Sequence, residues 1–320
     1  MFTWLMRRLR VLRTWILVRL GLWRRQWRRR RVLVRGARLL WGRGASNTWA
    51  YGLYTPAGLS DTASAPLIVL LHGCRQRALG FAYASGWTGE ADRLRARLLC
   101  PDQRRLANLF RCWNWFQPAA QRGQGELDVI IAMIDDAATQ VNVDTNAVAA
   151  VGLSAGGALA ALLAFHHPER FRAVAAVASP PLLGSLGTQN PQGVMRRGLA
   201  LSPLLALGAS RSACAPFAII HGAADQVVHP RCAEQLLEQA IESNRRAGIP
   251  LEKVAADGSA HTSIAEYRAE GQLRLRYIEV AGLGHMWTGG PGGHPYCERG
   301  GVRLAEACAQ FLRDAGMFRR

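Results

Sequence analysis

The segment Ala147-Val148-Ala149-Ala150-Val151-Gly152-Leu153-Ser154-Ala155-Gly156-Gly157-Ala158 passes from an apolar strand pattern through Gly-x-Ser-x-Gly into small helix-forming residues. A strand turns that sharply into a helix only where the turning residue accepts strained backbone angles and its neighbours lack bulk. Gly152 and Gly156, two positions either side of Ser154, meet that condition. The pattern predicts a strand–turn–helix elbow that lifts the Ser154 hydroxyl clear of a sheet, where it can act as a nucleophile.

The rest of the chain supplies strands for such a sheet. Leu67 to Leu71, ahead of His72-Gly73, is a continuous apolar run suited to a strand buried on both faces. Thr48 to Tyr54, Leu98 to Pro101, Val148 to Leu153, Ala173 to Ala178, Phe217 to His221 and Leu275 to Val280 read as further strands. Helical stretches near Gln124 to Gln140, Ala155 to His166, Pro230 to Ala247 and Val302 to Phe311 separate them. That alternation predicts an α/β fold with a doubly wound, mostly parallel sheet. Pro180 to Pro216 opens on two prolines and shows no clear apolar period, so it is expected to be a lid-like insertion above the strand ends.

The formal charge of +18 suggests a nucleic-acid binder until it is located. Residues 1–43 hold fourteen Arg and no acidic residue, whereas the remainder carries 26 basic and 22 acidic residues, the balance of an ordinary enzyme. The expected organisation is a basic extension over 1–45 and one catalytic domain over 46–320, with the insertion at 180–216 inside it. Trp4, Leu5, Leu9, Leu12, Trp15, Ile16, Leu20 and Trp23 recur at helical steps, yet Arg7, Arg8, Arg10, Arg13 and Arg19 lie among them. At roughly 2.5 to 3.5 kcal/mol each near a bilayer centre, those arginines outweigh the apolar residues. The extension is therefore expected to lie on an anionic membrane or granule surface, with nucleic acid as the weaker reading. Its longest uninterrupted apolar run, Trp15 to Val18, falls short of a secretory signal core of about 7 to 15 residues. Seven cysteines, at 74, 100, 112, 214, 232, 297 and 308, show no zinc-ligand spacing, so no metal is expected.

A serine needs a base, an orienting carboxylate and donors for the oxyanion. Asp225 follows the strand ending at His221-Gly222, and His285 follows the strand ending at Val280. The order Ser, Asp, His is that of α/β-hydrolases. His166 and His167 sit at a helix end, His72 and His221 precede glycines in turns, and His229, His261 and His294 lack a strand just before them, which leaves His285 as the base. Asp144, the rival acid, precedes the nucleophile's own strand and so lies at its wrong end. The oxyanion donors are expected to be the amides of Ala155 and Cys74.

With these residues in place, the chain from about Trp49 to Phe318 resembles the poly(3-hydroxybutyrate) depolymerase family of esterases. The resemblance rests on Leu71-His72-Gly73-Cys74 with Gln76, Cys112-Trp113-Asn114-Trp115-Phe116, Arg122-Gly123-Gln124-Gly125-Glu126, the Ser154 motif, His221-Gly222 with Asp225, and Gly284-His285-Met286-Trp287-Thr288-Gly289-Gly290. It implies an α/β-hydrolase fold, a Ser154, Asp225, His285 triad, no metal or organic cofactor, and an ester substrate: a hydroxyalkanoate polyester or oligomer, or a feruloyl or acetyl ester of a polysaccharide. It also implies a disulfide between Cys74 and Cys112, allows an extracellular or periplasmic location, and suggests that Trp113, Trp115 and Trp287 wall the ester-binding cleft. The chain departs from the pattern at Ala223, where the family often has a second acid, and at Pro180-Pro181-Leu182-Leu183, which replaces small and aromatic residues.

Overall fold

The computed structural model describes residues 38–43 and 49–318. Its strands are β1 (Arg38–Arg43), β2 (Ala50–Thr55), β3 (Ala65–Leu71), β4 (Arg97–Asp102), β5 (Val143–Leu153), β6 (Ala173–Val177), β7 (Phe217–Gly222), β8 (Glu252–Ser259), β9 (Thr262–Ala269) and β10 (Gln272–Val280). Its helices are α1 (Ala78–Ala84), α2 (Trp87–Leu94), α3 (Pro118–Gln121), α4 (Glu126–Gln140), α5 (Ala155–His166), α6 (Pro191–Arg197), α7 (Arg231–Arg246) and α8 (Leu304–Asp314). The strands form one sheet in the order β1-β2-β4-β3-β5-β6-β7-β10-β9-β8. The middle of it, from β4 to β10, is parallel. Antiparallel pairs close both edges.

The apolar runs of the central strands are buried on both faces because side chains alternate with period two. Leu67, Val69 and Leu71 of β3 pack with Val148, Phe217 and Ile219 against α4, α5 and α7. Ile68 and Leu70 face the other way and pack with Val151, Leu153 and Ile220 against α1, α2 and α8. This is the doubly wound, mostly parallel α/β sheet expected. Helix α5 is buried all round from Ala155 to Ala164, and its alanines and glycines let it lie close under the sheet.

Two features differ from expectation. Strand β1 pairs with β2 from Arg38 to Arg43, so the sheet begins inside the stretch assigned to the basic extension. The remainder of that extension, and with it the expected surface-binding helix, lies outside the described residues. Strands β8 and β9 form an edge hairpin whose charged residues break the apolar alternation, and Glu266 of β9 is paired with Arg276 of β10. Charged edge strands of this kind resist pairing with another chain.

The segment from Pro180 to Pro216 contains α6 and a 3₁₀ turn at Pro203–Leu207. It is stapled along one face of α7: Gln239 bonds both the amide and the carbonyl of Leu182, Gln235 does the same for Leu199, and Ser243 accepts the amide of Cys214. Leu182 and Leu207 sink into the core beneath.

At the carboxyl end of β3 the chain is pinned by His72, which is fully buried. Its Nδ1–H donates to the Gly73 carbonyl at 2.7 Å and its Nε2 accepts the Gln103 amide at 3.1 Å. The His72 carbonyl accepts the Trp113 indole at 3.0 Å. Both ring nitrogens are thus used by the neutral imidazole, and burial pushes its pKa down to about 4. In the unfolded chain the same group titrates near 6.5. Between those values the unfolded chain takes up a proton that the fold refuses, so His72 makes stability fall as pH drops through that window, by up to roughly 3 kcal/mol. Urea unfolding as a function of pH should show a shallower acid slope for His72→Gln than for the parent chain; parallel slopes would contradict this account.

Candidate active site

Parallel strands share a carboxyl edge, and the loops leaving that edge carry His72-Gly73-Cys74 after β3, Ser154 after β5, Asp225 after β7 and His285 after β10. Ser154 sits at φ 57° and ψ −119°, a conformation that L-residues rarely adopt. Its amide donates to the Val177 carbonyl of β6 at 2.8 Å, fixing the turn to the neighbouring strand. The glycines beside it are sterically required. A Cβ on Gly152 would lie 2.1 Å from the Gly156 carbonyl oxygen, and one on Gly156 would lie 2.2 Å from the Leu71 carbonyl oxygen. The elbow is therefore pressed directly against the end of β3.

The structure brings the three predicted side chains into one hydrogen-bonded line. Asp225 Oδ2 accepts His285 Nδ1–H at 2.7 Å, and Ser154 Oγ lies 2.9 Å from His285 Nε2. Because an ionised carboxylate only accepts, the Nδ1 proton is assigned by Asp225, and Nε2 is left to accept from the serine. The other carboxylate oxygen, Oδ1, accepts the amides of Val227 and Val228, each at 2.8 Å. Burial alone would raise the Asp225 pKa; the bond and charge of His285 and the Val228 amide outweigh it and hold the carboxyl below its ordinary value. Ser154 is buried, with 8% exposure.

Two further residues, to which the sequence assigned no part in the triad, pack beside this line. His221 Nε2 donates to the Val228 carbonyl at 2.8 Å, and burial lowers its pKa, so a neutral ring braces the Asp225 turn. Tyr296 stands edge-on to His285 at 5.9 Å between ring centroids. The only sequence signal for Tyr296 was its place in the glycine-rich stretch that follows His285.

The predicted oxyanion donors occupy adjoining loops. Among the described residues, neither the Ala155 nor the Cys74 amide is taken by a protein acceptor. Ala155 opens α5, where the first amides have no helical acceptor. The Cys74 loop is held on several sides. Gly73 donates its amide to Gln76 Oε1 at 2.6 Å, Gln76 Nε2 bonds the Pro295 carbonyl, and Cys74 is joined to Cys112 by a disulfide. Beyond Cys112, Glu126 accepts from Gln103 and from both the amide and the side chain of Asn114. That gives the Asn114 and Glu126 motifs a structural part in the same loop.

The three tryptophans expected to wall the cleft are corrected by the structure. Trp113 and Trp287 are fully buried and Trp115 is 3% exposed, so none offers a face to substrate. Each indole of the first two is spent on a backbone carbonyl, Trp113 on His72 and Trp287 on Ser85 at 3.0 Å. Trp113 stacks on Trp49, Trp287 meets Phe81 edge-on, and Trp115 meets Phe116 edge-on. They anchor the loops around the site. The segment expected as a lid borders the Asp225 loop through the His229 amide, which donates to the Met195 carbonyl of α6 at 2.7 Å. No group of side chains among the described residues has the make-up of a metal site.

A sequence model of the family described as esterase PHB depolymerase matches residues 49–256, more than half of the chain. Poly(3-hydroxyalkanoate) depolymerase C of Paucimonas lemoignei is 28% identical over 269 residues, covering 81% of this chain and 64% of its own length. The chain thus spans less than two thirds of that relative. Feruloyl esterase B of Neurospora crassa is 28% identical over 266 residues, covering 77% of this chain and 86% of its own. Among solved structures, acetyl xylan esterase from Aspergillus awamori superposes with a TM-score of 0.65 at 15% identity, covering 86% of this chain and 99% of that one, which speaks for the fold. On the family match, with the triad geometry beside it, this chain belongs to the esterase PHB depolymerase family.

Proposed function

We propose that the chain is a serine carboxylic-ester hydrolase that works through an acyl-enzyme. The continuous hydrogen-bonded line from Ser154 through His285 to Asp225 carries this reading. His285 Nε2 takes the Ser154 proton as Oγ attacks the ester carbonyl, and the carbonyl oxygen becomes an oxyanion facing the Ala155 and Cys74 amides. Collapse of the tetrahedral adduct breaks the bond to the alcohol oxygen, which leaves with the proton from His285. A water then repeats the sequence, freeing the acid and restoring Ser154. Asp225 fixes the imidazole tautomer and stabilises its charged form.

The depolymerase relative and the family match support hydroxyalkanoate or other short acyl esters as substrates. The feruloyl esterase relative supports a second reading, in which the acyl group is an aromatic or acetyl ester of a polysaccharide. The two are separated by a panel of 3-hydroxybutyrate oligomers beside feruloyl and acetyl sugars. On composition alone, fourteen Arg with Trp4, Trp15, Trp23, Trp27 and Trp41, residues 1–43 act as an attachment to an anionic membrane or granule surface. Deleting residues 1–37 should lower sedimentation with phosphatidylglycerol vesicles, and unchanged sedimentation would remove that role.

Full-length protein should hydrolyse p-nitrophenyl butyrate. Ser154→Ala should lower kcat by roughly a millionfold, and Asp225→Asn, which loses the tautomer control, by about ten-thousandfold. Circular dichroism should show both variants folded. A folded Ser154→Ala variant that keeps parental activity would defeat the proposal.

A further inference from the structure

Large apolar side chains left in solvent, Tyr83 of α1 apart, gather on segments that leave the carboxyl edge of the sheet: Leu106, Leu109 and Phe110 after β4, Leu186, Leu201 and Leu205 after β6 and Val227 after β7. The densest group is the first. Leu106 is 89% exposed, Leu109 78% and Phe110 60%, all within the run Arg104-Arg105-Leu106-Ala107-Asn108-Leu109-Phe110-Arg111. Scattered exposed leucines are ordinary; three on one short loop are not.

The loop is built to hold them out. Asn108 Oδ1 accepts the Phe110 amide at 3.0 Å, the Asn108 carbonyl accepts the Arg111 amide at 2.8 Å, and Asn108 Nδ2 donates to Asn114 Oδ1 at 3.0 Å. The Phe110 carbonyl accepts the Arg75 amide at 2.7 Å, and the Cys112–Cys74 disulfide follows two residues later. The apolar tips therefore stand beside the loop that offers the Cys74 amide to an oxyanion.

Arginines flank the tips in the chain and on the neighbouring loop: Arg104, Arg105 and Arg111 in the run itself, Arg75 and Arg77 after β3. Asp102 is already shared by Arg77 and Arg111, at 3.8 and 3.2 Å. Among the described residues no carboxylate comes within 4.0 Å of Arg75, Arg104 or Arg105. Arg75 lies 5.5 Å from the centre of the Phe110 ring and Arg104 5.7 Å from that of Trp49. Protruding apolar side chains on a loop flanked by unneutralised arginines match a layer that is apolar inside and anionic at its surface. A neutral solid would leave the arginines unused, and a nucleic acid would find no use for Leu106 and Leu109.

We propose that the Arg104–Arg111 loop docks the folded domain onto an anionic phospholipid surface, with Leu106, Leu109 and Phe110 entering the acyl boundary and Arg75, Arg104 and Arg105 pairing with headgroup phosphates. Docking is independent of the hydrolase reading, which says only what a site held against such a layer would act on. The face that meets the layer is the one that carries Ser154, so an ester lodged there would be presented to the nucleophile.

The test is sedimentation of the full-length chain with vesicles of phosphatidylcholine, alone or mixed with phosphatidylglycerol. The parent should bind the mixed vesicles, bind phosphatidylcholine alone much less, and weaken as salt rises. Leu106→Ser combined with Leu109→Ser should weaken binding to mixed vesicles by about tenfold or more, since apolar area is lost without any change in charge. Arg104→Gln combined with Arg105→Gln should flatten the salt dependence. Hydrolysis of soluble p-nitrophenyl butyrate by the leucine variant should equal that of the parent, which shows that it is folded; a parent without that activity would count against the hydrolase reading and leave the vesicle result standing. Because residues 1–37 carry an attachment of their own, the comparison is repeated on both chains without them, and equal sedimentation of the leucine variant and the parent there would overturn the proposal. So would a parent that binds duplex DNA in preference to vesicles and loses only the DNA on Arg104→Gln with Arg105→Gln.

Discussion

The close approach of the Ser154 elbow to the end of β3 sets the terms for everything around it. Backbone meets backbone there, with no room for a Cβ at Gly152 or Gly156. That contact puts the first amide of α5 beside the loop carrying Cys74, and it forces Ser154 into a backbone conformation that its own energetics disfavour. The strain is held by strands buried on both faces and by the Ser154 amide bond to Val177. A site assembled on the ends of rigid strands keeps its geometry without help from the substrate, which is what electrostatic stabilisation of an oxyanion demands.

Around this contact the buried polar groups are arranged as supports. His72, Gln76, Gln103, Glu126 and His221 each close a hydrogen bond that fixes a loop carrying a reacting group. Burying such groups is costly unless they are paired, so the bonds they make rigidify the site at the same time, although Nδ1 of His221 has no partner among the described residues. Trp113 and Trp287 serve the same end, with large rings in the core and one indole N–H on a loop carbonyl.

The central fold and the triad were legible in the sequence because both depend on local pattern. Two-sided apolar runs mark central strands, and the parallel order then places Ser154, Asp225 and His285 on one edge. What was missed depends on contacts that no pattern records. The tryptophans were misplaced because aromatic residues near a catalytic motif look alike whether they face a cleft or a carbonyl. Strands β8 and β9 were hidden by charges such as Glu266, whose partner Arg276 is supplied by the next strand. Strand β1 was hidden by the arginine-rich composition around it, although its backbone pairs with β2. The outward leucines of the Arg104–Arg111 loop carried no signal, since exposure is a property of the folded surface.

The central claim is that Ser154 is the one serine whose hydroxyl is activated. A fluorophosphonate tests it directly, because the attacking oxygen forms a bond to phosphorus, fluoride leaves, and the adduct is stable. Intact-mass and peptide mapping of the labelled full-length chain should find one adduct, on Ser154, forming in step with loss of ester hydrolysis. Inhibition with the adduct on any other residue, or full labelling of Ser154 with activity retained, would contradict the account.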